Sequence, residues 1–466
     1  MADLSAVRTI RICSVHMQKL IFAKVEAWVI VLLILIGLLA MIWFGAAVLS
    51  AERGQPRSGA VGRVALTVAE LPGTVRELLR SGDRMKTFVS ERWAGRPSGW
   101  TIEPGPALPG YVLLSRFDAD RGGNAVGLFR LSDGSLTHEW LPDADLLLAD
   151  AKRTSNIADY TGWTRAAWRA IHPYLTPEGD LIVKDHYGPL MQIDICGGRT
   201  WMNDDLMFHH STESDGAGGF WVPSVIEPQS VDKVRPDFHE DAITHVAADG
   251  SIIFQRSVAQ ILLDNGMEYL IFATGNYDSD PVHLNDIQPV LADGPYWRKG
   301  DLFLSARHIS TLFLYRPSTD KIIWMKRGPW MAQHDIDILD ENRIAVFNNN
   351  AYDRGNGPYV RDHNSIAVYD FATDTITRPF DKALASEEVR TLFEGLFTIL
   401  PDGTAMVEEE NSGRVLFVTA EGATRATYLN TASDGSSYRL GWSRWIDQAT
   451  GDAVAARLAA ATCAAN

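Results

Sequence analysis

The chain has 466 residues, a formal net charge of −15 and a pI near 5.3. That balance repels a phosphate backbone and argues against nucleic acid as a partner, because such binding needs a clustered basic face. Fourteen Trp and 38 Gly, with aromatics spread along the whole chain, fit many short strands joined by tight turns better than a helical bundle.

Residues 1–26 form an N-terminal segment that precedes an uncharged apolar run, AWVIVLLILIGLLAMIWFGAAVL, from Ala27 to Leu49. The run is long enough to cross a hydrocarbon core of about 30 Å as one transmembrane helix. It is also much longer than the apolar part of a cleaved signal peptide, so an uncleaved signal-anchor is expected. Arg8, Arg11, Lys19 and Lys24 before the helix, against Arg53, Arg57 and Arg63 after it, give a slight preference for a cytoplasmic N-terminus. The bulk of the protein is then extracytoplasmic, in a periplasm-like space. Residues 50–100 read as a spacer, with rough helical spacing from Val64 to Gly82 broken by Pro72 and Gly73.

Residues 101–448 are expected to form one catalytic domain, within which one unit recurs from Gly110 to about Trp445: an apolar strand, a tight turn, and another strand. The turns fall at Asp133-Gly134, Glu178-Gly179, Asp215-Gly216, Asp249-Gly250, Asp293-Gly294 and Asp402-Gly403. Their spacing of about forty residues, with no long amphipathic helix between them, predicts four-stranded blades arranged radially. The expected fold is therefore all-β, a six-bladed β-propeller preceded by a single N-terminal transmembrane helix, with residues 449–466 as a tail. A sandwich or several small β domains is the alternative. Cys13, Cys196 and Cys463 show no metal-ligand spacing and read as buried free thiols, with a Cys196–Cys463 disulfide as the alternative in an exported domain.

The innermost strand of each blade lines a central channel, so residues distant in sequence can converge there. Polar residues interrupt the expected strand starts at Phe208-His209-His210-Ser211, His283-Leu284-Asn285-Asp286, Ser305-Ala306-Arg307-His308 and Gln333-His334-Asp335. Several imidazoles and a guanidinium around one pocket suit transfer of an anionic group, phosphoryl or sulfuryl. Arg grips tetrahedral oxygens, protonated His neutralises charge, and neutral His attacks or relays a proton. His210, His283 and His334 are the candidates for chemistry, with His209 and His308 evenly balanced because adjacent strand residues face opposite sides. His138, His172, His186 and His363 read as structural. Asp286 and Asp335 orient imidazoles or cap turns, and Glu408-Glu409-Glu410 reads as a solvated or turn-stabilising run rather than a cation site. Walker, GxGxxG, HExxH and GxSxG motifs are absent from the sequence.

Taken in order, HPYLTPEGDLIV, the His209-His210 pair, FHEDAITHVAADGSI, HLNDIQPV, GDLFLSARHIS and QHDIDILDENRIAVFNN resemble the arylsulfotransferase family of bacterial six-bladed propellers. The resemblance implies an enzyme that moves a sulfuryl group from an aryl sulfate ester to a phenol through sulfohistidine, with no cofactor, no metal and no nucleotide donor. It implies His334 as nucleophile, Arg307 and His283 gripping the sulfuryl oxygens, and His210 completing the cradle or acting on the phenolic oxygen. His209, His308 and Asn285 would contact substrate. Two other functions stay open: a metal-dependent propeller hydrolase using the same histidines, and a non-catalytic ligand-binding propeller.

Overall fold

The computed structural model describes residues 26–52, 61–62, 64–65, 68–69, 89–273, 275–355 and 357–463. The expected N-terminal segment, except its last residue, and most of the expected spacer lie outside them. The chain falls into two units, Met1–Asp83 and Arg84–Asn466. Within the first, one helix spans Ala27–Glu52, 26 residues or about 39 Å. No Asp, Glu, Lys or Arg occurs from Ala27 to Ser50, and apolar side chains occupy every face. The helix is long and apolar enough to cross a membrane.

The second unit is mostly β and propeller-like. One four-stranded antiparallel sheet contains Leu284–Pro289, Leu302–Ala306, Thr311–Arg316 and Lys321–Arg327. The next contains Ile336–Ile338, Arg343–Asn348, Ser365–Asp370 and Thr375–Thr377. A five-stranded sheet runs from Leu396–Ile399 through Ala405–Glu409, Arg414–Val418 and Thr424–Leu429 to Gly99–Ile102. Another four-stranded sheet is made by both ends of the unit: Arg444–Ile446 pairs with Tyr111–Asp118, which continues to Gly123–Arg130 and Leu136–Trp140. The remaining sheet has eight strands, from Tyr174–Leu175 to Ile252–Ser257, and is joined in its middle by Met207 and Phe208 pairing with Val225 and Ser224.

The Asp-Gly turns behave as their chemistry requires. Asp133 and Asp249 accept the N–H and hydroxyl of Ser135 and Ser251, while Gly134 and Gly250 take φ of +69° and +85°. Gly294 is an exception and keeps a negative-side φ. Faces between neighbouring sheets are filled by aliphatic and aromatic side chains; Phe303, Leu312 and Leu314, for example, pack against Ile344, Val346 and Tyr369 of the following sheet.

Helix Gln448–Ala460 follows the closing strand, capped by Asp447 on the N–H groups of Ala449 and Thr450. Val454, Ala455 and Leu458 bury against Leu128, Trp140 and Ile193. Gly451 allows the close approach: a Cβ there would lie 2.1 Å from the Tyr111 ring. Just beyond, Cys463 is bonded to Cys196, with Cα atoms 5.5 Å apart, which corrects the expectation of free thiols. Nothing in the spacing of two cysteines 267 residues apart conveys that the last helix returns one to the other.

Buried carboxyl groups cross four of the boundaries between neighbouring sheets. Asp241 accepts the N–H of Leu284 at 2.7 Å, Asp286 that of Ile336 at 2.9 Å, and Asp335 that of Phe397 at 2.9 Å. Glu408 accepts two, from Trp442 and Ser443, at 2.8 and 2.7 Å. All four side chains are buried. Of the two alternatives for Asp286 and Asp335, backbone capping is therefore what they do. Burial holds the carboxyls of Asp286 and Asp335 well above the usual range and raises Asp337 and Glu408 to about 7.

A carboxyl raised on folding binds its proton more readily in the native state, so its contribution to stability is complete below about pH 4.5 and is lost as pH rises through about 7. Thermal unfolding of wild type should therefore shift downward between pH 5 and pH 8. Glu408→Gln should be less stable at pH 5, having lost one of two backbone acceptors, yet show a shallower decline toward pH 8. Parallel pH profiles for the two proteins would contradict this assignment.

Candidate active site

Six non-glycine residues with positive φ stand just before the innermost strands: His172 (46°), His210 (51°), His283 (51°), Ala332 (51°), Glu394 (58°) and Trp442 (60°). Left-handed backbone is uncommon outside glycine and concentrates at functional sites. Here it turns the chain into each inner strand at one recurring place, which gathers neighbouring side chains.

The His210 ring lies centrally, with centroids 4.4 Å from His186, 5.0 Å from His283, 6.3 Å from His334 and 6.1 Å from Trp442. Trp442 also meets His334 edge-on at 6.0 Å. His308 stacks on His283 at 4.5 Å, and Arg307 donates from Nη1 to His308 Nε2 at 2.7 Å. Three expected residues, His210, His283 and His334, thus meet, and Arg307 stands close enough to depress the His334 pKa. His334 and His210 are buried, while His283 and Arg307 are partly exposed and His308 exposed.

Hydrogen bonds fix the His334 tautomer. Nε2 accepts the main-chain N–H of Glu394 at 2.9 Å, so the proton sits on Nδ1 and is donated to Asn349 Oδ1 at 2.7 Å. Asn349 is oriented for this by donating its own amide to the carbonyls of Thr391 and Glu394. Burial, then Arg307, hold the His334 pKa well below the ordinary imidazole value, and the ring is neutral. His283 differs: Nδ1 faces Asp280 Oδ2 at 2.5 Å, and among the described residues nothing bonds its Nε2. Burial pushes the Asp280 carboxyl up, but His283 and the other imidazoles outweigh it and leave the group lowered.

Asp280, His283 and His308 also bring potential metal ligands within 4.8 Å of one another. Their chemistry suits a divalent transition ion. Two features oppose a cation: Asp280 Oδ2 already bonds His283, and a guanidinium sits on His308.

A buried ionic network adjoins the imidazoles at His186. Glu394 pairs with Arg169, Arg439 and His186, the last at 2.6 Å, and Glu410 pairs with the same two arginines. Glu409 binds Arg92 and Arg414. The run Glu408-Glu409-Glu410 is therefore buried and paired, correcting the solvated expectation.

His209 turns away from the cradle toward Tyr187 and Asp241. Asn285 donates to the Gln333 carbonyl and links two sheets, with its Oδ1 left buried and unpartnered. His138 and His363 bond Ile195 O and Asp381 and are structural, as is His172, held between Arg444 and the Thr212 N–H. His186 is the expectation that fails, since it joins the cluster. Asp280, Asn349, Glu394 and Trp442 were not singled out by the sequence. Only the nearness of Asp280 to His283 is a signal readable there.

Residues 182–431, more than half of the chain, match the profile of the family described as Arylsulfotransferase (ASST). No curated protein matches the chain. Among solved structures it is similar to a protein of unknown function from Bacteroides caccae, at 12% identity over 68% of this chain and 92% of that one, TM-score 0.42. It is also similar to Kuenenia stuttgartiensis hydrazine synthase, at 11% identity over 69% and 79%, TM-score 0.38. A third is Staphylococcus aureus virginiamycin B lyase, at 13% identity over 56% and 70%, TM-score 0.33.

Because Glu394 compensates two buried arginines at once, Glu394→Gln should cost about 3 kcal/mol or more of unfolding free energy. Urea denaturation reads this directly, and a loss below about 1 kcal/mol would show that Glu410 alone suffices.

Proposed function

Because the chain belongs to the arylsulfotransferase (ASST) family, we propose that it moves a sulfuryl group from an aryl sulfate ester to a phenolic acceptor through a sulfohistidine. The observation that carries this is the meeting of His210, His283 and His334 beside Arg307. A tetrahedral anion needs fixed donors on its oxygens and a neutral nucleophile on its central atom. Arg307 offers an Nε–H that is buried and has no partner. Neutral His334 attacks sulfur through Nε2, and the bond to the aryl oxygen breaks. Arg307 and His283 hold the sulfuryl oxygens, and a phenol then takes the group from the ring. The Glu394 N–H occupies the attacking lone pair at rest, so it must be displaced first.

That last point favours a second assignment of the nucleophile. Among the described residues His283 Nε2 has no hydrogen-bond partner, and Asp280 stands behind Nδ1, the arrangement of an activated imidazole. The fold that supports either assignment is a six-bladed propeller, the eight-stranded sheet being two four-stranded blades fused by the 207–208 pairing. An extracytoplasmic, periplasm-like location behind a signal-anchor is supported by the Cys196–Cys463 disulfide, since such bonds persist in oxidising compartments.

Steady-state transfer from a chromogenic aryl sulfate to phenol by the full-length protein should give parallel double-reciprocal lines, the pattern of two half-reactions through a covalent intermediate. His334→Asn should lower kcat by at least ~10³-fold, and the single-turnover rate of donor cleavage should change little from pH 8 to pH 6. A nucleophile of ordinary imidazole pKa would lose about fourfold over that interval. Full activity in His334→Asn with loss in His283→Asn would transfer the role to His283. Inactivity of wild type across several donors would end the sulfuryl reading.

A further inference from the structure

His209 is fully buried, is next to the central His210, and has no contact with the other cradle imidazoles. Its ring packs on Tyr187 at 5.2 Å. Its Nδ1 lies 2.7 Å from His210 Nδ1, and its Nε2 lies 3.3 Å from Asp241 Oδ1. The second contact is electrostatic, since Nε2 has no aligned hydrogen-bond partner. Between two facing Nδ1 atoms there is room for one proton. If it belongs to His209, the other nitrogen of a neutral His209 turns a lone pair toward a carboxylate. If it belongs to His210, His209 carries its proton on Nε2, facing Asp241. The second order is favoured, and it leaves His210 Nε2 without a proton.

From this geometry we infer that Asp241, His209 and His210 form a proton relay, with His210 as acid and base for the two aryl oxygens and His209 and Asp241 as its positioning residues. The inference rests on the sulfuryl-transfer reading. In the first half-reaction the relay holds one extra proton: His209 has both N–H groups, beside Asp241, and His210 carries its proton on Nε2. As the sulfur–oxygen bond of the donor breaks, His210 gives that proton to the departing phenolate. His210 Nδ1 then takes the proton of His209 Nδ1. In the second half-reaction the incoming phenol gives its proton to His210 Nε2, the Nδ1 proton returns to His209, and the phenolate oxygen attacks sulfur. The sulfur–nitrogen bond breaks and its electron pair stays on the histidine ring. The proton lent to the departing phenolate in the first transfer is regained from the incoming phenol in the second, and nothing else is required. His186, His283 and His334 face His210, and Tyr187 and Asp241 face His209.

Asp241→Asn is the informative variant. Its amide oxygen can still accept the Leu284 N–H that Asp241 Oδ2 accepts at 2.7 Å, while its NH₂ faces His209 Nε2 and reverses the proton order. His209→Gln is the second variant, which keeps the test open should the first fold poorly. Full-length protein would be given 4-nitrophenyl sulfate, whose leaving group needs no proton, and a series of phenols from unsubstituted phenol to nitrophenols ionised at neutral pH. The nitrophenolate burst should stay within about threefold of wild type in both variants. Turnover to unsubstituted phenol should fall by about 10²-fold to 10³-fold, and turnover to the ionised phenols should be nearly unchanged. Equal losses for all acceptors, or none, would overturn the relay. Nitrogen-15 spectra of labelled histidine give a readout apart from turnover: recorded at a pH high enough that the extra proton is absent, His209 should hold its proton on Nε2 in wild type and on Nδ1 in Asp241→Asn, and the opposite order in wild type would also overturn it. Absence of a burst and of any adduct in wild type would instead defeat the sulfuryl reading, and the relay with it.

Discussion

Everything at the hub depends on buried carboxylates that accept main-chain N–H groups across sheet boundaries. Asp241, Asp286, Asp335 and Glu408 each reach from one sheet to the first residues of the next inner strand. Side-chain packing between sheets can tolerate small slips, whereas a buried carboxyl oxygen and an N–H donor must meet in direction and distance. These bonds therefore set where four of the inner strands begin. Since His283 and His334 stand at two of those beginnings, the same bonds position these two rings of the cradle.

Charge is layered accordingly. Glu394 and Glu410 are paired with Arg169 and Arg439, while burial keeps the His210 and His334 rings neutral. Arg307 brings a guanidinium to the cradle, and among the described residues its Nε–H has no partner. An anionic group entering there meets donors and neutral bases without facing a bare carboxylate, because Asp280 is covered by His283. This is the preorganisation that anion transfer asks of a protein: the donors are in place before charge moves. Glu394 joins both layers, with its carboxylate in the ionic network and its N–H on His334.

Much of this was legible in the sequence. Turn residues at regular spacing gave strand units, the uncharged run from Ala27 gave the helix, and polar breaks before apolar strands gave His210, His283, Arg307 and His334. What could not be read depends on distance in space. His186 sits beside an Asp in a stretch with no special pattern, and only the fold brings its ring to 4.4 Å from His210. Trp442 and Glu394 join the site through positive φ, which no residue type other than glycine announces. The acidic run at 408–410 looks like a solvated edge until arginines from residues 92, 169, 414 and 439 arrive around it. Cys196 and Cys463 meet because the final helix docks beside the first closing sheet.

The central claim is that a sulfuryl group rests covalently on an imidazole of this cradle between two transfers. Rapid quenching after brief exposure to an aryl sulfate, followed by peptide mass spectrometry under non-acidic conditions, tests it most directly. An acid-labile sulfuryl mass on the peptide containing His334, discharged when phenol is added, is the predicted result. A donor that is cleaved with no histidine in the chain modified would contradict the account.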